Sequence, residues 1–256
     1  MISFFKMSFS LVARNWLVYR KDFIANISPT IADPALTMLA LGVGLGSYVQ
    51  TVEGISYQQF LAPGLAVATA LFTSFFESSY GFYVRMTYEN IFKAMLTTPI
   101  GVHEIFWGEV FWVGLKGSVM VLGVTLVLCC LGLFENLYNL PLIILVGFFV
   151  AIPCGALGLI ATALVHNINQ FQTVYSFIIA PLYFLSGIFY PINQMNTVLK
   201  VIMSFFPLIH GVGLAQAVFW NKNILDAFLY HGPVLVFQSA VLCWLAYGLI
   251  KKKLIS

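Results

Sequence analysis

His103 and Glu104 stand in the order that opens a zinc-protease helix, where a second histidine four residues after the first completes the metal-binding face. Here that position is Trp107, so the site cannot close. The other histidines, His166, His210 and His231, are scattered along the chain. Cys129, Cys130, Cys154 and Cys243 all lie in apolar runs, with no ligand spacing and no polar loop in which they could pair. There is no nucleophile elbow, phosphate loop or paired-cysteine site. The sequence therefore predicts no catalytic residue, no metal site and no cofactor bound by this chain. Any work done with ATP would need an ATPase on another polypeptide. The two ionisable residues set deepest in apolar stretches are Glu77 and Lys116. Charges inside lipid are costly and usually face a partner or a wet cavity.

The elements that must position these residues follow from composition. Of 256 residues 61% are hydrophobic and only 8% charged, against roughly 25% charge in an ordinary soluble domain. With a mean hydropathy of +0.94, the chain reads as one all-α integral membrane domain, residues 1–256, and not as a soluble enzyme. The net charge of +3 sits mostly at the ends of apolar runs and forms no basic face for nucleic acid. A span needs about 20 apolar residues. The runs at 28–49, 58–84, 107–133, 138–165, 171–190 and 229–250 predict six transmembrane helices.

Before the first run, Phe5, Phe9, Val12, Trp16, Tyr19 and Phe23 recur every three or four residues among Lys6, Arg14, Arg20 and Lys21. This pattern predicts an interfacial helix over residues 1–27 and not a cleavable signal. Asp33-Pro34 matches a capping acid before a first-turn proline. A break is therefore expected between Pro29 and Pro34, with Asp33 as a cap. The stretch 191–217 is apolar but interrupted by Asn193, Gln194, Asn196, Lys200, Pro207 and His210. It predicts a re-entrant helical hairpin between the last two spans.

Six crossings put both termini on one side. Lys6, Arg14, Arg20, Lys21, Arg85, Lys93 and Lys251 to Lys253 share that side, whereas the other holds Lys200 and Lys222 with Glu53, Glu135 and Asp226. The positive-inside rule makes the termini cytoplasmic. Glu77 then lies eight residues before Arg85, about 12 Å into the membrane, and Lys116 seven past Glu109, about 10 Å. The matched depths predict an intramembrane charge pair bridged by water; a lysine snorkelling alone to the interface fits the same positions.

The connection 85–106 contains Tyr88, Ile91, Phe92, Met95 and Leu96 at helical spacing, opened by Glu89-Asn90 and stopped by Pro99-Ile100-Gly101. A short amphipathic helix belongs there. It could dock on a partner or lie on lipid.

Glu89-Asn90, Ala94-Met95-Leu96, Thr98-Pro99-Ile100 and Gly108-Glu109 resemble the coupling region of ABC type-2 exporter permeases. Phe60 to Leu65, Phe184 to Pro191 and Phe206-Pro207-Leu208-Ile209-His210 resemble further landmarks of that family, in order and over almost the whole chain. The similarity is greatest to short permeases that export polysaccharides, glycolipids or nodulation factors. One departure is Gln216, where members often carry an arginine. The resemblance implies a homodimer in the bacterial inner membrane, surrounded by membrane lipid, with a cytoplasmic coupling helix meeting a separate ATP-binding subunit that holds ATP and Mg. Glu89, Asn90, Phe92, Met95 and Pro99 would make that docking, with Phe92 and Met95 filling an apolar floor in the ATPase. Phe72, Phe75, Phe76, Tyr80, Tyr183 and Tyr190 would line the substrate path, or else pack in lipid. Ser186, Gly187, Pro191, Pro207 and His210 would form an outer gate. The glycines at 42, 44 and 46, and Gly155 with Gly158, could permit close helix contact or simply reflect membrane composition.

Two other function classes compete with transport. A lipid-embedded transferase needs convergent acids, bases or metal ligands at one depth, and a passive channel or assembly factor needs polar rings on several spans. The chain offers neither in quantity.

Overall fold

The computed structural model describes residues 2–49, 51–134, 136–192 and 195–255, with the side chains of 2–5, 25–27 and 29–31 outside that description. Glu135, Asn193, Gln194 and the Phe5 side chain therefore fall outside it. The described chain is almost entirely helical. In order it forms α1 (Ile2–Tyr19), α2 (Phe23–Thr37), α3 (Tyr57–Phe76), α4 (Phe82–Thr87), α5 (Ile91–Leu96) and α6 (Val102–Cys130). There follow α7 (Leu140–Leu164), α8 (Gln170–Val174), α9 (Ala180–Phe184), α10 (Thr197–Ser204), α11 (Pro207–Phe219) and α12 (Ile224–Ile255).

Among the described residues four helices are long and apolar enough to cross a membrane: Tyr57–Thr87, Val102–Cys130, Leu137–Leu164 and Ile224–Ile255. The first of these joins α3 to α4 through a π-helical turn at Glu77–Gly81. These four match the expected runs within a few residues, because a chain in lipid must satisfy every backbone N–H and C=O within the segment. The expected run 171–190 is helical only as far as Phe184, in three stretches of five residues. That is about 22 Å at 1.5 Å per residue.

The expected break at Pro29–Pro34 is not there. α2 runs through both prolines and passes into a wider π-helical segment, Met38–Gly44. The chain instead changes course at Arg20–Asp22, a 3-10 turn in which Asp22 leaves helical geometry at φ −116° and ψ 38°. Asp33 is mid-helix and caps nothing. A proline removes one helical bond, and a membrane-type helix absorbs that loss by local rewinding.

α3 is the central helix, packed against α6, α7 and α11. Its start is fixed by a two-strand hairpin, β1 (Thr51–Val52) and β2 (Ile55–Ser56), which turns through Glu53 and Gly54, both at positive φ. Ser56 and Gln59 then close a reciprocal capping box on the first turn of α3. Gly158 of α7 lies against the π-helical turn: a Cβ there would stand 2.8 Å from the Phe75 carbonyl oxygen and 2.8 Å from Ser78 Cβ. Gly155 lies as closely against Val113 of α6, whereas Gly44 faces open space.

α10 and α11 meet at 96°. Pro207 starts α11, and the elbow carbonyls of Ser204 and Phe205 accept hydrogen bonds from Gln238 Nε2 of α12. α12 has only 22% of its apolar window buried, so a long face is left for lipid or another subunit.

α1 lies lengthwise along the first turns of α6. Ser8 reaches Glu104, Leu11 packs on Gly108, Asn15 reaches Glu109, and Tyr19 meets Trp112. The expected aromatic stripe is therefore divided: Val12 and Tyr19 face α6, while Phe9 and Trp16 are exposed.

Candidate functional site

The densest polar feature is a chain of buried ions where α1, the α3–α4 helix and α6 meet. Lys116 Nζ donates to Glu77 Oε2 at 2.6 Å. Glu77 Oε1 accepts from Arg85 Nη1 at 2.6 Å and from the Trp112 indole at 3.2 Å. Arg85 Nη2 donates to Glu109 Oε2 at 2.7 Å, and Glu109 Oε1 accepts from Asn15 Nδ2 at 3.0 Å. Asn15 Oδ1 accepts from Arg14 Nη2 at 2.7 Å, and Arg14 Nη1 lies 3.8 Å from Met95 Sδ on α5. Two carboxylates and two cations alternate in the buried part, so each charge has a partner where an unpaired one would be costly.

Glu77 and Lys116 thus touch directly, with no room for a bridging water between the paired atoms. The π-helical turn beginning at Glu77 alters the helical phase between Glu77 and Arg85, and Arg85 and Lys116 converge on the one Glu77 carboxylate. Arg85, Glu109, Asn15 and Trp112 were not singled out for this cluster from the sequence. The available signal was the acid–base spacing around the coupling connection, which shows depth but not which helix faces meet.

α5 is shorter than the expected Glu89–Pro99 helix. It opens after Asn90, whose φ of 53° is left-handed, a conformation that asparagine tolerates. Phe92 is fully buried, 4.5 Å from the Phe82 ring. This corrects the expectation that Phe92 reaches outward: it anchors α5 to the bundle. Glu89, Asn90, Lys93 and Pro99 form the exposed side, and Met95 is half-buried toward Arg14.

Two cavities flank the ion chain. One of about 990 Å³ lies under α5, lined by Arg14, Tyr19, Arg85, Glu89, Met95 and Trp112 among others. Burial raises the Tyr19 hydroxyl to about 12, with the nearby Glu77 carboxylate adding to the shift, so this hydroxyl is neutral at ordinary pH. The second cavity, about 660 Å³, lies between α2, α3 and the α8–α9 segment, lined by Thr37, Thr69, Phe72, Phe76, Tyr175 and Tyr183 among others.

Phe72, Phe76 and Tyr183 are thus brought together, with Phe72 and Tyr183 edge to face at 5.0 Å. Tyr175, not foreseen, stacks 5.7 Å from Phe76. The other expected path residues lie elsewhere. Phe75 is fully buried in the core, Tyr80 faces the first cavity 4.8 Å from Phe171, and Tyr190 donates to the Phe184 carbonyl.

Among the expected outer-gate residues, Ser186 is buried and donates to the Tyr183 carbonyl at 2.6 Å, and Gly187 turns at φ +80° before Pro191. Pro207 begins α11. His210 Nε2 lies 2.9 Å from the Ser204 carbonyl oxygen, and its Nδ1 lies 3.0 Å from Nδ1 of His231. Among the described residues no group of three or more His, Cys, Asp or Glu could hold a metal ion.

Comparison with known proteins places this architecture. The chain is 32% identical to Nodulation protein J of Rhizobium leguminosarum bv. viciae over 227 residues, covering 88% of this chain and 86% of that protein. It is 33% identical to Nodulation protein J of Azorhizobium caulinodans over 240 residues, covering 90% and 93%. It is 21% identical to the inner membrane transport permease YadH of Escherichia coli, covering 88% of each. No solved structure matches the chain. Residues 8–220 match the ABC-2 type transporter family, a span that takes in the ion chain, α5, both cavities and the elbow, and the chain belongs to that family.

Proposed function

We propose that the chain is the membrane subunit of an exporter that moves an amphipathic glycan- or lipid-type substrate out of the cytoplasm, driven by ATP hydrolysis on a separate subunit. The observation that carries this reading is the unbroken polar connection from α5 to the wall of the aromatic cavity, running through Arg14, Asn15, Glu109, Arg85, Glu77 and Lys116. α5 presents Glu89, Asn90, Lys93 and Pro99 on its exposed side, where an ATP-binding subunit would press. A displacement there has a route of hydrogen bonds and ion pairs to follow into the spans. Alternating access results when such a displacement tilts packed helices against each other.

In this reading the chain works as a homodimer in the inner membrane with both termini cytoplasmic. Residues 28–49 and 171–190 complete six crossings, and the α10–α11 elbow is re-entrant. The basic residues near the ends and around α5 support that orientation. The similarity to an inner membrane transport permease of Escherichia coli supports the inner membrane. Phe72, Phe76, Tyr175 and Tyr183 supply ring faces on which sugars stack and against which lipid tails pack. Ser186 to Pro191 and Pro207 to His210 would close the far side. ATP and Mg stay on the partner.

Coexpression with the ATP-binding subunit of its own organism tests the reading. The two should copurify, and the ATPase rate should change when the membrane chain is present. Absence of any complex, with both chains stably produced, would overturn it.

A further inference from the structure

Glu77 and Lys116 line both cavities, and among the described residues no other does. Their 2.6 Å ion pair stands where the space under α5 meets the aromatic space between α2, α3 and α8–α9. The two ends of this pair are held unequally. Glu77 is fixed from behind through its other oxygen by Arg85 and the Trp112 indole, and Arg85 is itself fixed by Glu109. Lys116 has Glu77 as its hydrogen-bond acceptor and, on its other side, the ring of Tyr19, whose centroid lies 4.9 Å from Nζ.

A third cavity, of about 320 Å³, opens on that same side, lined by Phe9, Trp16, Tyr19, Trp112, Leu115 and Lys116 among others. Lys116 is the residue at which all three spaces converge. Its ammonium therefore has room to leave Glu77 and an aromatic face on which to rest. The carboxylate it leaves keeps Arg85 as counter-ion.

We propose that Lys116 is the moving bolt, and Glu77 its fixed catch, of an inner gate on the substrate path. Closed, the pair separates the vestibule under α5 from the aromatic cavity. Open, Lys116 has left Glu77 for the third cavity, keeping the Tyr19 ring it already lies over, and the first two cavities join. The gate is linked to α5 through Arg85, which bonds both Glu77 and Glu109, and through Arg14 beside Met95. This proposal rests on the transport reading for its purpose but not for its test.

The test uses the full chain with its four cysteines replaced by alanine or serine, carrying either Val84→Cys on the vestibule wall or Thr73→Cys on the aromatic cavity wall. A charged, membrane-impermeant thiol reagent is added to membrane vesicles from whichever side labels Val84→Cys. With the ion pair intact, Thr73→Cys should label slowly. Adding Lys116→Met should speed that labelling about tenfold or more, the population change expected on losing one charge-assisted hydrogen bond. Lys116→Arg should keep it slow, and Val84→Cys should label equally in every background.

An unchanged Thr73→Cys rate in Lys116→Met, with Val84→Cys normal, would overturn the gate. Should Lys116→Met fail to insert, Glu77→Gln is held to the same criterion. No ATPase or substrate enters the measurement, so its failure leaves the transport reading standing, and loss of the ATPase complex leaves the labelling result standing.

Discussion

The ring of Phe92 lies 4.5 Å from that of Phe82, so the short helix α5 is pinned to the end of the long α3–α4 helix by an aromatic contact with no solvent exposure. What α5 leaves exposed is therefore its polar side, while its large apolar residue serves this chain.

Two substitutions separate those roles. Phe92→Ala should destabilise the chain by about 3–5 kcal/mol, as for other buried phenylalanines, and lower the unfolding temperature in detergent. Glu89→Lys, at an exposed position, should leave that temperature unchanged while reducing copurification with the ATP-binding subunit and the change in ATPase rate. A Glu89→Lys chain that assembles and couples normally would refute the docking role.

Neutralising the ion chain should be graded by how many partners each residue holds. Glu77 bridges two cations, whereas Lys116 bonds one acid. Glu77→Gln should therefore cost more stability and transport than Lys116→Met, and the double variant less than the sum of the two. Breaking a buried pair from one side typically costs about 3–5 kcal/mol, with the lower end expected for Lys116→Met because Arg85 still compensates Glu77. A double-mutant cycle on thermal unfolding and on transport reads this, and strict additivity would exclude the coupling.

The basic tail of α12 divides sharply in role. Lys253 Nζ donates to the carbonyl oxygens of Thr162 at 2.7 Å and Val165 at 2.6 Å, closing the last turn of α7, and sits 5.7 Å from the Tyr83 ring. Lys251 and Lys252 are exposed. Lys253→Met should lower stability by about 1–3 kcal/mol, the cost of leaving such acceptors unmet. Lys251→Met and Lys252→Met should each stay within about 0.5 kcal/mol. Unfolding midpoints of the three variants measured side by side distinguish them.

Gly158→Val should be worse tolerated than Gly44→Val. A Cβ at Gly158 meets the Phe75 carbonyl oxygen of α3 at 2.8 Å and the Ser79 nitrogen of the π-helical turn at 3.3 Å, backbone atoms that cannot swing aside, while at Gly44 it meets nothing within 4 Å. The expected readout is loss of folded yield for the first and near-normal yield for the second. Equal yields would show that the α3–α7 approach is looser than the structure has it.

Much of the architecture was legible in the residues alone. Where an apolar run is long enough to cross lipid, the backbone has one economical solution, a helix bonded within itself, and this places Tyr57–Thr87, Val102–Cys130, Leu137–Leu164 and Ile224–Ile255 from hydropathy. The depth of Glu77 and Lys116 followed from rise per residue, and the amphipathic segment before Pro99 from its periodicity. Local rules failed where tertiary surroundings outweigh them. Asp33-Pro34 carries the signature of a helix start, yet α2 runs through it. Periodicity marked Phe92 as apolar but not toward which neighbour it points. Only the packed bundle decided that Arg85 would join Glu77 to Glu109, that Asn15 of α1 would complete the chain, and that Tyr175 would line the aromatic cavity while Phe75 would not. Those outcomes depend on rotation about each helix axis, set by π-helical turns and by close contacts at Gly155 and Gly158, and one-dimensional spacing carries no record of that rotation.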